Sequence, residues 1–290
     1  MDDSYHRTVF PREVLDYLDI KERSWYLDVT LGDGGHSIEI LKSGGLVVGI
    51  DVDPEAIKRA EKRFQSAGID NSKYKLIQGN FREIDGLIDL QMQFAGCVAD
   101  LGVSTLQLKV AERGFSLLQN GPLDMRMDPN LAVKAVDLIN GLHKGELSEL
   151  FLNYGEESDA KRIAEAVVNA RPITTTTDLV RAVEVVTGKK TGYTHPATQI
   201  FQALRIAVND EMFAIREGLP KIFNFLSPAA RFCVISFHSL EDRQVKESFR
   251  DLQQLGIGII LTDKPLVPSE NEVYENIRSR SAKLRIIEKV

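Results

Sequence analysis

Hydrophobic positions along the chain fall into two textures. From Trp25 to Asp100, short apolar runs of strand character alternate with stretches whose apolar residues recur every three or four positions, the period of an amphipathic helix. The run from Trp25 to Val29 gives way to Gly32, Gly34 and Gly35, then to a helical pattern through Ile38, Ile40 and Leu41, then to a second apolar run closed by Asp51. Asp53 is placed to cap, and Pro54 to start, a helix whose apolar face is Ala56, Ile57, Ala60 and Phe64. A third run, Tyr74 to Ile77, stops just before Asn80 and Phe81, and a fourth, in AGCVADLGVS, stops at Asp100. Upstream, Pro11 opens a short helical pattern through Val14, Leu15 and Leu18. The alternation predicts an α/β fold with a twisted, Rossmann-like sheet. Ligands of such sheets sit beyond the carboxyl ends of the strands, where Gly32 to Gly35, Asp51, Phe81 and Asp100 all fall.

From Leu106 to Asn209 strand signals fade. AVKAVDLIN, GELSELFLN, SDAKRIAEAVVNA and TDLVRAVEVVTG carry helical spacing, with Gly188 as a stop. The pattern predicts a discontinuous α/β domain over 1–105 and 210–290, interrupted by an all-helical insert over 106–209. A helical stretch interrupted at most briefly, Pro196 to Phe225, returns the chain to the sheet. The strand RFCVIS (Arg231 to Ser236) then ends at FHSLEDR. A helix from Glu241 to Leu252 follows, with Ser239 and Asp242 in the positions of a capping box. GIGIILT and AKLRIIEKV suit an antiparallel pair that closes the sheet.

Composition narrows the classes. The 290 residues are 43% hydrophobic, enough for one large core or two smaller ones. No run of apolar residues is long enough for a membrane span, and the start, MDDSYHRTVF, lacks the order of a signal peptide, so the expected compartment is the cytoplasm. Cys97 and Cys233 each sit in an apolar run and read as buried thiols; five scattered histidines give a structural zinc site no support. The net charge of -6 excludes a global basic field, so a nucleic-acid footprint would have to be local. Arg278 to Val290 is such a stretch, with five basic residues against one acid.

Gly32 and Asp51 lie nineteen residues apart, close to the ~20 at which an acid on the second strand meets a nucleotide ribose. Three cofactor classes suit the unit. A nucleotide phosphate lacks its Gly-Lys-Ser/Thr, and a dinucleotide lacks a third glycine at the helix start, where His36 and Ser37 stand. S-adenosylmethionine (SAM) has no phosphate: Asp51 suits its ribose, Phe81 its adenine, and Gly34 with Gly35 a close backbone approach.

The blocks DVTLGDGGHS, DVDPEAI, GNF, DLGVS, ERGFSLLQNGPLDMRMDP, YGEE, HPATQIFQALRIAVN and SFHSLEDRQVK resemble, in order from His6 to SRSAKLRI, those of the RsmH (MraW) family of SAM-dependent methyltransferases. The resemblance implies a class I SAM-methyltransferase sheet and methylation of the exocyclic amino group (N4) of a decoding-region cytidine in small-subunit (16S) ribosomal RNA, with the helical insert as a substrate-recognition part. It places SAM contacts on Gly34, Gly35, His36, Asp51, Phe81, Asp100 and Gln107. One departure is local: the family reads Ser-Ser-Pro-Gln where this chain has Ser104, Thr105, Leu106 and Gln107. The alternatives are a non-catalytic RNA-binding assembly factor that keeps a vestigial SAM site, and a methyltransferase of another substrate.

Cytosine's exocyclic nitrogen is a poor nucleophile because its lone pair is delocalised into the ring. Catalysis therefore needs in-line placement and acceptors for the amino hydrogens. Asp100 is the leading acceptor, with a competing role at the amino group of SAM; His238 is the second. The base must be single-stranded or splayed out, and Phe237, Arg113 and Arg126 are candidate stacking planes. The Leu123 to Asp128 run reads equally as an ion-pair network with methionine packing, and His238 to Arg243 as a capped helix start.

Overall fold

The computed structural model describes residues 8–188 and 195–290; His6, where the resemblance begins, lies outside them. The chain divides into two compact units, 1–102 with 212–290, and 103–211. In chain order the first unit begins α1 (Pro11–Leu18), β1 (Trp25–Asp28), α2 (Gly35–Lys42), β2 (Leu46–Asp51), α3 (Pro54–Ser66), β3 (Tyr74–Gln78), α4 (Ile84–Leu87) and β4 (Phe94–Asp100). The second unit contains α5 (Thr105–Lys109), α6 (Ala135–Gly141), α7 (Lys144–Gly155), α8 (Ala160–Asn169), α9 (Thr176–Thr187) and α10 (Thr198–Asn209). The first resumes with α11 (Glu211–Asn224), β5 (Leu226–Ser236), α12 (Ser239–Gln254), β6 (Gly258–Ile260), α13 (Glu270–Glu275) and β7 (Lys283–Lys289).

The sheet order is β3-β2-β1-β4-β5-β7-β6, parallel except for β7, which runs antiparallel to both neighbours. Period-two alternation sorts the side chains onto two cores. Leu27, Val48, Cys97 and Phe232 face a layer that includes Leu219, Phe223 and Phe249 from α11 and α12. Tyr26, Val47, Val98 and Cys233 face α1, α2 and α3 through Val14, Leu18, Ile40 and Phe64. The two cysteines are therefore free, buried and on opposite faces of the sheet. Burial pushes both thiols up, Cys233 to about 12. Gly96 lets α1 approach, since a Cβ there would lie 2.9 Å from Leu18.

Local signals act as the sequence dictates in most places. Asp53 caps α3 by accepting from Glu55 N, with Pro54 in the first turn, and the buried face is Ala56, Ala60 and Phe64. The returning helical stretch is broken once, at Asp210, which adopts a left-handed φ of 51°. The strand expected from Arg231 begins earlier, at Leu226, and crosses a register shift opposite Phe94 and Gly96. The start of α12 differs by one residue from its expected cap. His238 is the N-cap and Glu241 its partner, while Ser239 is already helical. The reason is the strand end: the amides of Phe237 and His238 both donate to Glu241 Oε2, at 2.7 and 3.3 Å, and Asp242 turns instead to β7.

In the second unit, α7, α8, α9 and α10 pack around Leu147, Phe151, Ile163, Val167, Leu179, Val183, Ile200 and Leu204. Gly155 allows the close approach of α7 to α10, because a Cβ there would lie 2.7 Å from Gln199 O. No helix among the described residues is long and apolar enough to cross a membrane.

Candidate active site

The loop after β1 is tied to every neighbouring element at the carboxyl edge. Asp28, buried at the end of β1, accepts from Ser37 Oγ of α2 at 2.7 Å. Thr30 Oγ1 accepts from the Asp100 amide at the end of β4, at 2.6 Å. Gly32 N donates to Asp51 Oδ2 at the end of β2, at 2.7 Å, so the nineteen-residue spacing closes into a direct bond. The other Asp51 oxygen accepts from Asp53 N at 2.9 Å. Burial raises the Asp51 carboxyl to about 6 against the opposing pull of these two amides. Burial also raises Asp28, again against its hydrogen bond from Ser37.

Two members of the glycine cluster are demanded by packing. Gly34 has φ 72°, and a Cβ there would lie 2.6 Å from the Phe64 ring. A Cβ on Gly35 would collide with Thr8 Oγ1. Gly32, with φ 51°, meets nothing closer than Thr30 O at 3.8 Å and is the open member of the three. Three further residues hold this loop. Arg59 grips Asp33 with Nε to Oδ1 at 2.9 Å and Nη2 to Oδ2 at 3.1 Å, and Arg63 Nη1 donates to Asp33 O at 3.2 Å. Arg59 and Arg63 are one turn apart on α3, a spacing visible in the sequence; their shared target was not.

His36 is the second residue of α2 and is only 6% exposed. Its Nε2 lies 3.7 Å from Asp100 Oδ2, and both Nε2 and Asp100 Oδ1 are buried without a hydrogen-bond partner among the described residues. Native proteins rarely leave such atoms unsatisfied, and a polar ligand seated between the β1 loop and β4 would satisfy both. Phe81 follows β3 in a short 3-10 turn capped by Asn80, and its ring lies against Gly218 of α11, where a Cβ would be 2.5 Å away. Phe237 and His238 follow β5 at the same edge. His238 Nδ1 accepts from Glu241 N at 3.3 Å, and its Nε2 lies 3.1 Å from Glu241 Oε1. Both ring nitrogens are thus engaged by the helix cap.

The remaining candidates belong to the second unit. Gln107 and Ser104 form a reciprocal capping box, Ser104 N to Gln107 Oε1 at 3.0 Å and Gln107 N to Ser104 Oγ at 3.3 Å, so the unusual turn is held without proline. Arg126 chelates Asp124 through Nε and Nη2 at 2.7 and 2.9 Å, and its Nη1 donates to Pro129 O and Leu131 O. Arg113 Nη2 donates to the carbonyls of Arg126 and Met127. Asn209 completes the brace, accepting from Met127 N at 2.7 Å and donating to Met125 O at 2.8 Å. Of the two readings of the Leu123 to Asp128 run, the ion-pair network is the one these contacts show.

A 3-2-1-4-5-7-6 sheet whose only reversed strand is β7, with a glycine loop after β1 and an acid after β2, is that of a class I SAM-dependent methyltransferase. The particular family follows from the whole chain: the MraW methylase family model matches residues 3–290, and the chain belongs to that family. It is 48% identical over 292 residues to "Ribosomal RNA small subunit methyltransferase H" of Synechococcus sp. (strain JA-2-3B'a(2-13)), covering 97% of this chain and 91% of the relative. It is 42% identical over 315 residues to the protein of the same name from Halothermothrix orenii, covering 98% of each. Among solved structures, an rRNA methylase from Streptococcus thermophilus gives a TM-score of 0.48 at 12% identity, over 96% of this chain and 95% of that one.

Proposed function

We propose that this chain, a SAM-dependent ribosomal RNA methyltransferase, acts on the exocyclic N4 of a cytidine in the decoding region of small-subunit (16S) RNA, in the cytoplasm, within the small ribosomal subunit. The observation that carries the catalytic part is the buried pair of atoms unsatisfied among the described residues, His36 Nε2 and Asp100 Oδ1, beside the glycine loop. Family membership and the names of the relatives support the substrate.

Bound SAM supplies an electrophilic methyl group. Asp51, which accepts from the amides of Gly32 and Asp53, would hold the ribose hydroxyls with its remaining lone pairs, and Phe81 would hold the adenine. The loop of Gly34 and Gly35, with His36, would hold the rest of the cofactor. Asp100 accepts a hydrogen of the target amino group and draws the nitrogen toward tetrahedral geometry, which frees its lone pair. This assignment goes to Asp100 and not to His238, because Glu241 occupies both nitrogens of that ring. Phe237 stands beside the helix start as a stacking plane for the base, which must leave its own stack to reach the site. The helical unit recognises RNA, with Arg113 and Arg126 shaping the loop that faces it.

The test is nucleoside mass spectrometry of small-subunit RNA from cells with and without the protein. Loss of one N4-methylcytidine on deletion is the expected outcome; an unchanged cytidine profile rules out the reaction. Offering labelled SAM with naked RNA or with small subunits then separates the two forms of substrate.

A further inference from the structure

The basic surplus of the C-terminal stretch is not used by the cofactor site. Resting on the ribosomal RNA reading above, we infer that the cleft between α12 and the β6–β7 edge is a phosphate seat for the RNA backbone flanking the target cytidine.

The cleft, of about 200 Å³, is lined by Lys246, Arg250, Gln253, Thr262, Asp263 and Arg285, with Phe249 at its base. Helical period brings Asp242, Lys246, Arg250 and Gln253 onto one face of α12. Val245 and Phe249 are buried and anchor the helix, while Lys246 and Arg250 are exposed at the rim. Arg285 enters from β7 and is only 8% exposed. Its Nε and Nη2 donate to Asp242 at 2.7 and 3.2 Å, and Lys283 Nζ donates to the same carboxylate at 2.9 Å. That two-point grip fixes the guanidinium plane and leaves Nη1 unspent among the described residues. A fixed, half-used guanidinium beside two exposed cations is the donor set that suits a phosphate. Three cations line the cleft, Lys246, Arg250 and Arg285, against one carboxylate, Asp263, in a chain whose overall charge is -6. The surplus is local, as an RNA footprint on an acidic protein has to be.

The placement follows from topology. Ser236, at the end of β5, pairs with Lys283 of β7, and β6 runs parallel to β5. Thr262 and Asp263 therefore emerge at the same sheet edge as Asp100. The order β4-β5-β7-β6 sets the cleft about three strand spacings, roughly 14 Å, from the strand of Asp100. An RNA strand with its base at β4 carries its phosphates past β5 and β7 toward the seat. Such contacts fix register and affinity and leave base choice to the pocket.

The experiment uses the full chain and small-subunit RNA purified from cells lacking the protein, with binding measured by fluorescence anisotropy across a potassium chloride series. Lys246→Gln/Arg250→Gln is expected to flatten the slope of log affinity against log salt by about 1.4, two contacts at ~0.7 each for single-stranded RNA. Methyl transfer should lose in KM for RNA more than in kcat, with SAM affinity kept. Asp242 and Arg285 are left intact, because removing one would strand a buried charge and report folding. A control pair, Lys42→Gln/Lys58→Gln on α2 and α3, should leave the slope unchanged. An unchanged slope in the α12 variant, or an equal change in the control, overturns the seat. A wild-type chain that binds this RNA but transfers no methyl to RNA or subunits sinks the enzymatic reading, while the salt slope still decides the seat.

Discussion

His36 Nε2 lies 3.7 Å from Asp100 Oδ2, beyond hydrogen-bonding range, and Nε2 and Asp100 Oδ1 are buried without partners among the described residues. Each unsatisfied buried atom costs about 1–3 kcal/mol, which a polar ligand group bonded to both would recover. Asp100 is held for this purpose by its own backbone, through the 2.6 Å bond from its amide to Thr30 Oγ1.

Asp100→Asn should therefore keep the fold and hold SAM within about tenfold, while methyl transfer falls by ~10²- to 10⁴-fold. Calorimetry of SAM binding alongside single-turnover transfer checks it. A parallel loss of both would move Asp100 to the amino group of the cofactor.

Asp51 makes cofactor affinity depend on pH. With its carboxyl raised to about 6, the free protein is protonated there at lower pH and offers the ribose one acceptor fewer. SAM should bind tightest above pH 7 and weaken by up to about tenfold per unit below pH 6. The same shift acts on folding with the opposite trend. Its contribution is fully present below the usual carboxylate pKa and is lost as pH rises through 6. Asp51→Asn should flatten both profiles and weaken SAM at neutral pH by ~1.5–3 kcal/mol, as titration calorimetry from pH 5 to 8 would show.

Gly34→Ala combines a left-handed φ of 72° with a Cβ contact of 2.6 Å to the Phe64 ring. The conformational part alone costs about 1–2 kcal/mol, and the collision adds to it. Gly68→Ala, with φ 71° and open space around it, should cost only the first part. Chemical denaturation of the two variants separates packing from strain; equal losses would show that the Phe64 contact relaxes freely.

The Arg59 and Asp33 pair should act on cofactor binding and not on chemistry. Arg59→Lys cannot reproduce the two-point grip, so SAM affinity should fall while kcat at saturating SAM is kept. A loss in kcat of equal size would place the loop in the transferring step.

Periodicity and punctuation determined much of this protein before any coordinates. The strands Tyr74–Gln78 and Phe94–Asp100, the Asp53-capped helix and the antiparallel closing pair follow from side-chain alternation and from Asp and Pro at a helix start, which are local properties of the chain. The family blocks were equally legible, because long motifs survive as strings. Local strings do not say which side chain a polar group will meet. Glu241 displaced Asp242 from the α12 cap because the end of β5 leaves two amides above it, and Asp242 was drawn to Arg285, forty-three residues away. Arg113 and Arg126 read in the sequence as candidate stacking planes, and no local string shows that Arg113 bonds the carbonyls of Arg126 and Met127 or that Arg126 grips Asp124. Gly34 reads in the sequence as a place of close backbone approach, and the string does not say that it also makes room for Phe64, thirty residues on. Propensity acts over a few residues, whereas hydrogen-bond satisfaction and close packing are settled only when distant segments meet, and there the tertiary structure decided.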